Sequence, residues 1–169
     1  MIRVLGIDPG SRTTGYGVVE MRGNRLAHVA HGAISGGRDD ALGPRLAAIY
    51  RGLREVLAAY RPQEMSVEGI FHARNAQSAL KLGHARGVVL LTAELTEVPV
   101  AEYTPMQVKS AVVGYGRADK RQVQDMVRRL LTLPAAVGTD ASDALAVAIC
   151  HLQTRRTVQA YATRRAGAP

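Results

Sequence analysis

The chain has one cysteine, Cys150, no tryptophan, a single phenylalanine, Phe71, and three lysines, Lys81, Lys109 and Lys120, in 169 residues. A lone thiol excludes an intramolecular disulfide, and without Cys or His partners at ligand spacing it excludes a zinc site or a thiol couple. A buried, small apolar role is the expectation for Cys150. No apolar run approaches the roughly 18 to 20 continuous residues that cross a bilayer, so no transmembrane helix is expected. The first residues pass straight into a strand-like run, with neither an apolar signal core nor a small-residue cleavage site, which predicts a cytoplasmic protein. There is no internal repeat and no linker. One compact domain over 1–155 is expected, followed by a basic, frayed tail over 156–169.

Acids are also scarce, 14 Asp and Glu against 22 Lys and Arg, for a net charge of +8 and a pI ≈ 10.2. That balance favours a polyanionic partner, of which nucleic acid is the commonest in a cytosol. Because 19 of the basic residues are Arg, composition says less than the placement of the few lysines. Scarcity also means that each acid interrupting an apolar segment needs a chemical reason.

What is present reads first as β. Residues 3–8 are a β-rich run ending at the Pro9-Gly10-Ser11 turn cluster, 14–21 alternate Gly with Tyr16, Val18 and Val19, Arg22-Gly23-Asn24 marks a hairpin, and 25–35 form a third strand. From 42 to 60, apolar residues at 46, 49, 50, 53, 56, 57 and 60 have the three-and-four spacing of an amphipathic helix, which Pro62 ends. A short apolar run at 65–71 predicts a buried strand, 75–95 a long helix and 99–103 a further strand. Thr104-Pro105 then opens a helix with Thr as N-cap and Pro at the first helical position. Two more helices are expected at 120–131 and 140–154. Small residues at Gly83 and Gly87 make the 75–95 helix either a packing or dimer surface, or a helix buried in its own domain. Together these elements predict an α/β domain with a mixed five-stranded sheet flanked by helices on both faces.

Four carboxylates stand out. Asp8 ends a strand just before a Pro-Gly turn, and Glu68 lies inside an apolar strand, where a carboxylate is unfavourable unless paired, protonated or bound to a metal. Asp140 and Asp143 are three apart at a helix start, so they project from one face, where the helix dipole favours their ionised forms. Each alone can be a turn former, an edge residue or a helix cap. Together they offer the hard oxygen ligands that Mg²⁺ or Mn²⁺ require, and two such ions can promote hydrolysis of a phosphodiester. Phe71, three residues past Glu68, fills the core or wedges between bases. Lys109 and Lys120 flank a Gly-containing loop, as solvated charges or as phosphate contacts.

Three segments carry a family resemblance: Gly-Ile-Asp-Pro-Gly-Ser-Arg-Thr-Thr-Gly-Tyr-Gly at 6–17, Glu-Gly-Ile-Phe-His-Ala-Arg-Asn-Ala-Gln-Ser-Ala-Leu-Lys-Leu-Gly at 68–83, and Asp-Ala-Ser-Asp-Ala-Leu-Ala at 140–146. In this order they resemble the RuvC family of Holliday junction resolvases, through essentially the whole chain apart from the C-terminal tail. The resemblance implies an RNase H-like fold, a homodimer with two active sites, and paired, metal-dependent nicks of opposed strands at a four-way DNA junction during recombination and repair. It implies RuvA and RuvB as branch-migration partners, two Mg²⁺ or Mn²⁺ ions per active site, and Asp8, Glu68, Asp140 and Asp143 as catalytic metal ligands. Some members carry His at the first acid of the last motif; Asp140 here implies an all-carboxylate site. By the same resemblance Phe71 disturbs base pairing near the junction centre, and Lys109 and Lys120 lie beside the scissile strand; Arg74 joins them as a DNA-binding residue.

Two other classes compete. The Asp8 turn also resembles the phosphate loop of sugar-kinase or actin-like ATPases, but those need a second lobe and a second phosphate loop, for which 169 residues leave no room. A non-catalytic junction-binding module is the other, and metal-dependent nicking by purified protein separates it from a nuclease.

Overall fold

The computed structural model describes residues 1–37, 41–69, 76–135 and 137–166, with the backbone alone over 159–166. Five strands, β1 (Ile2–Asp8), β2 (Thr13–Arg22), β3 (Arg25–Ser35), β4 (Glu64–Glu68) and β5 (Val100–Tyr103), form one sheet in the order β3-β2-β1-β4-β5. β1, β2 and β3 pair antiparallel, as short hairpin connections require, whereas β4 and β5 run parallel to β1, each reached through a helix. The sheet is therefore mixed and five-stranded, as the element pattern predicts.

Helices cover both faces. α1 (Leu42–Tyr60) and α2 (Ala76–Leu95) close one, burying Leu53, Val56, Leu57, Val89 and Ala93 against Leu5, Ile7, Val18, Met65 and Val67 of the strands. α3 (Pro105–Val113), α4 (Lys120–Leu130) and α5 (Thr139–Ala166) close the other around Val4, Val19, Leu145, Ile149 and Leu152. Cys150 is buried in this second cluster, and burial pushes its thiol up to about 11. Alternate residues of each strand face opposite helices, so Val4 faces α5 while Leu5 faces α1.

Strand glycines set how α5 lies on the sheet, and at Gly17 it is Leu145 of the helix that a Cβ would meet. A Cβ added at Gly6 would fall 2.0 Å from the carbonyl oxygen of Ala144, and one at Gly15 2.1 Å from that of Asp140. Only residues without a side chain let the helix backbone rest on the strands there.

Local chemistry starts the helices on time. Thr104 and Asp119 each accept from the backbone N–H of the third helical residue, Gln107 and Gln122, whose side chains accept the cap N–H in return. α1 ends with Arg61 in the left-handed region just before Pro62. Two expectations change. β4 ends at Glu68 rather than at 71, and residues 70–71 lie outside the described ones. The last helix does not stop at 154: it continues to Ala166, because no Gly or Pro interrupts it and its residues are mostly Ala, Gln and Arg, with Thr157 Oγ1 donating back to the Gln153 carbonyl. Among the described residues no helix is long and apolar enough to cross a membrane.

Candidate active site

Asp8 and Glu68 are the last residues of β1 and β4, neighbouring parallel strands at the centre of the sheet. Their register, Gly6 beside Ser66 and Ile7 beside Val67, brings both acids to the same sheet end. Gly6 lies under α5, so Asp8, two residues on, projects toward the same helix. The contact at Gly15 lands the start of α5 on the strand position paired with Asp8. Asp140 and Asp143 therefore arrive over the strand ends that carry the other two acids.

Asp8 feels the other three carboxylates. Asp8 is raised from the ordinary 3.8 to about 7, first by burial and then by the negative charges of Glu68, Asp143 and Asp140, with Lys120 opposing. Glu68 is raised as well, by burial and by Asp143, against the attraction of Lys120 and Lys109. Lys120 donates to Asp143, Nζ to Oδ2 at 2.8 Å. Burial works against the ammonium charge, but the bond to Asp143 and the charges of Asp143, Asp8 and Asp140 hold its pKa above the ordinary lysine value.

A groove of about 330 Å³ opens on this cluster, lined by Glu68, Asp143, Lys109 and Lys120 with Val108 and Val123. Both lysines are thus delivered to the acids by the caps of α3 and α4. A wider groove of about 520 Å³ between α1 and β3 gathers Tyr16, Tyr60 and a single acid, Glu55, so volume alone does not locate the chemistry. Phe71 and Arg74 lie outside the described residues.

Among the described residues no three acidic, histidine or cysteine side chains converge tightly enough to clasp an ion as they stand. Asp143 is engaged by Lys120 instead. The donor set nevertheless suits a hard divalent cation: all four groups offer carboxylate oxygens, and the burial and neighbouring negative charge that raise Asp8 to about 7 are what such a cation would offset.

Two further residues hold the site, and spacing alone does not single them out. Arg45 is buried on the same stripe of α1 as Ile49 and Leu53, and its guanidinium donates through Nε to the Ser11 carbonyl and through Nη2 to Ser11 Oγ, both at 2.9 Å. Thr14, fully buried, donates from Oγ1 to the Gly10 carbonyl at 2.9 Å. The turn that follows Asp8 is pinned from both sides. The available signal was a charge at an apolar position of an amphipathic helix.

A family model for the crossover junction endodeoxyribonuclease RuvC matches residues 4–151. Over 150 residues the chain is 61% identical to the crossover junction endodeoxyribonuclease RuvC of Syntrophotalea carbinolica, covering 89% of this chain and 93% of the relative. Among solved structures, Thermus thermophilus RuvC in complex with a Holliday junction substrate superposes with a TM-score of 0.87 at 36% identity, over 93% of this chain and 96% of that one. The yeast mitochondrial Holliday junction resolvase superposes with a TM-score of 0.70, over 94% of this chain and 80% of its own, and at 15% identity the likeness is one of fold.

Proposed function

The chain belongs to the RuvC family of crossover junction endodeoxyribonucleases, and from that premise we propose that Asp8, Glu68, Asp140 and Asp143 are the catalytic groups with which it cuts junction DNA. It is a Holliday junction resolvase with an RNase H-like fold, a metal-dependent nuclease that hydrolyses DNA in recombination and repair. The observation that carries the assignment of residues is the convergence of the acids at one sheet end, where Asp8 feels the charges of Glu68, Asp143 and Asp140 and Glu68 that of Asp143, beside two lysines in one groove.

Asp8, Glu68, Asp140 and Asp143 would hold two ions, Mg²⁺ or Mn²⁺, per active site, supplying Lewis-acid charge beside the scissile phosphate. The chain's own groups account for the rest. Asp8, a carboxyl at about 7 and so half protonated at neutral pH, would have to give up its proton to hold an ion. Lys120 leaves Asp143 and, with Lys109, faces the phosphates that enter the groove. Arg45 and Thr14 keep the turn after Asp8 from yielding as charge accumulates. Phe71 and Arg74 complete the proposed DNA contacts.

Residues 1–155 are proposed as the nuclease domain, with 156–169 a basic extension, acting in the cytoplasm. A homodimer is the proposed assembly. Leu80, Leu91 and Leu95 are exposed along α2, and Cβ atoms at Gly83 and Gly87 would meet nothing within 4 Å, so the helix presents apolar and small residues to solvent where a second copy fits. RuvA and RuvB are the proposed branch-migration partners.

The decisive experiment is Asp8→Asn assayed on a mobile four-way junction with Mg²⁺ and with Mn²⁺, the cuts mapped to the nucleotide. Nicking should vanish while junction binding persists, because the lysines and arginines are untouched. A variant that nicks at the normal rate would overturn the assignment.

A further inference from the structure

Remote from the proposed site lies a buried polar chain that the chemistry above does not use. Tyr103 Oη lies 2.8 Å from His151 Nδ1, the two rings meet edge to face with centroids 5.7 Å apart, and His151 Nε2 meets Glu64 Oε2. Arg155, one turn beyond His151 on α5, holds the other oxygen of Glu64. The geometry suits an imidazole whose Nε2 donates to Glu64 and whose Nδ1 accepts from the tyrosine hydroxyl. Tyr103 and His151 are both buried, in a region otherwise packed with Val, Leu, Ala and Ile.

The three partners belong to the elements that deliver the acids and Lys109. Glu64 opens β4, the strand that ends in Glu68. Tyr103 ends β5; its carbonyl accepts from the N–H of Gly69, and the next residue caps α3, which carries Lys109. His151 sits on α5 about two to three turns beyond Asp143 and Asp140. Where α5 rests on the strands it lies backbone to glycine at Gly6 and Gly15 with Ala141, Ala144 and Ala148 on that side, while Leu145, seated on Gly17, and Ile149 and Leu152 bury in the core. These apolar contacts fix the height of the helix and fill space, but they are non-directional, whereas the polar chain is directional.

We propose that Tyr103, His151 and Glu64 act as positioning residues, locking the axial register and roll of α5 so that Asp140 and Asp143 stand correctly against Asp8 and Glu68. The proposal rests on the assignment of those four acids made above. A directional bond chain suits this task better than more apolar area would, because it is satisfied in one register only. A slide of about 1 Å at the acids is enough to lower a rate about a hundredfold.

The test compares Tyr103→Phe, His151→Ala and His151→Gln with the unaltered protein in single-turnover nicking of a four-way junction, well below the unfolding temperature of each. Junction affinity and the Mg²⁺ concentration for half-maximal rate are measured alongside. His151→Ala should nick about tenfold to a hundredfold more slowly and need more Mg²⁺, with junction affinity within about twofold. Tyr103→Phe, which removes one oxygen, should shift both in the same direction. His151→Gln, whose amide can accept from Tyr103 and donate to Glu64, should recover most of the rate. If His151→Ala does not fold, Tyr103→Phe decides alone. Normal rate and normal Mg²⁺ requirement in Tyr103→Phe overturn the proposal, as does loss of nicking that merely follows the unfolded fraction. Asp8→Asn in the same assay separates the two failures: if it is inert while Tyr103→Phe is normal, only the positioning role falls, and if it too is active, the site assignment falls.

Discussion

Raising the pH of the cation-free protein from 5 to 8 should weaken its folded state, and Asp8 should account for a separable part of the loss. Its carboxyl titrates at about 7 in the folded chain against an ordinary 3.8. A carboxyl raised by folding binds its proton more tightly folded than unfolded, so its contribution to stability is fully present below about pH 4 and is lost as pH rises through 7. At pH 5 the folded chain still holds this proton and the unfolded chain has released it; at pH 8 neither holds it. Integrating the difference over that interval gives about 3 kcal/mol. Urea unfolding of the unaltered protein and of Asp8→Asn, each in chelator at pH 5 and 8, isolates the effect, because subtracting the variant removes what Glu68 contributes in the same direction. The stability difference between the two proteins should fall by about 3 kcal/mol from pH 5 to pH 8. Mg²⁺ at pH 8 should then stabilise the unaltered protein and leave Asp8→Asn nearly unchanged. Parallel pH curves for the two proteins, or equal stabilisation by Mg²⁺, would refute the placement of Asp8 among repelling acids.

Two other substitutions probe the site from opposite sides. Gly15→Ala sets a methyl 2.1 Å from the Asp140 carbonyl oxygen, which forces α5 off the sheet by about 1 Å; nicking should fall about a hundredfold and stability by about 1 to 3 kcal/mol, with junction binding retained, measured by single-turnover rates and urea midpoints. Lys120→Gln removes the cation that now balances Asp143, so the variant should bind junctions with a salt dependence shallower by about one in log–log slope, and should nick more slowly at every salt concentration.

The strands and helices were legible because their periodicities are clean. The alternation through 14–21 and the three-and-four spacing through 42–60 each admit one element, and Thr104-Pro105 marks a helix start that the capping box with Gln107 confirms. Ends were harder. Nothing in residues 155–166 says stop, so the final helix outruns its apolar stripe, and polarity alone misleads about where a helix ends. All four acids were legible, since a carboxylate at a strand terminus or paired at a helix start stands out in a chain with few acids. The grouping of Asp8 and Glu68 at one sheet end follows from β1 and β4 being parallel neighbours, and the landing of α5 at Gly15 adds Asp140 and Asp143; both are properties of topology and not of local sequence. Arg45 and His151 were not legible as supports, because a polar residue on a buried helical stripe discloses its partner only when distant segments meet: Ser11 for Arg45, Glu64 and Tyr103 for His151. Nor does sequence reveal that Lys120 holds Asp143.

The contacts at Gly6 and Gly15 also bear on how freely the rest of the chain can vary. At these two positions the height of α5 is set chiefly by main-chain atoms, which every sequence shares. Leu5, Ile7, Leu53 and Met65 fill the far side of the sheet, so exchanges among large aliphatic residues there can repack the α1 layer without widening the gap across which the acids face one another. The interior can accumulate substitutions while the spacing of the acids is preserved. The positions where that spacing is most exposed to mutation are ones that have no side chain to lose.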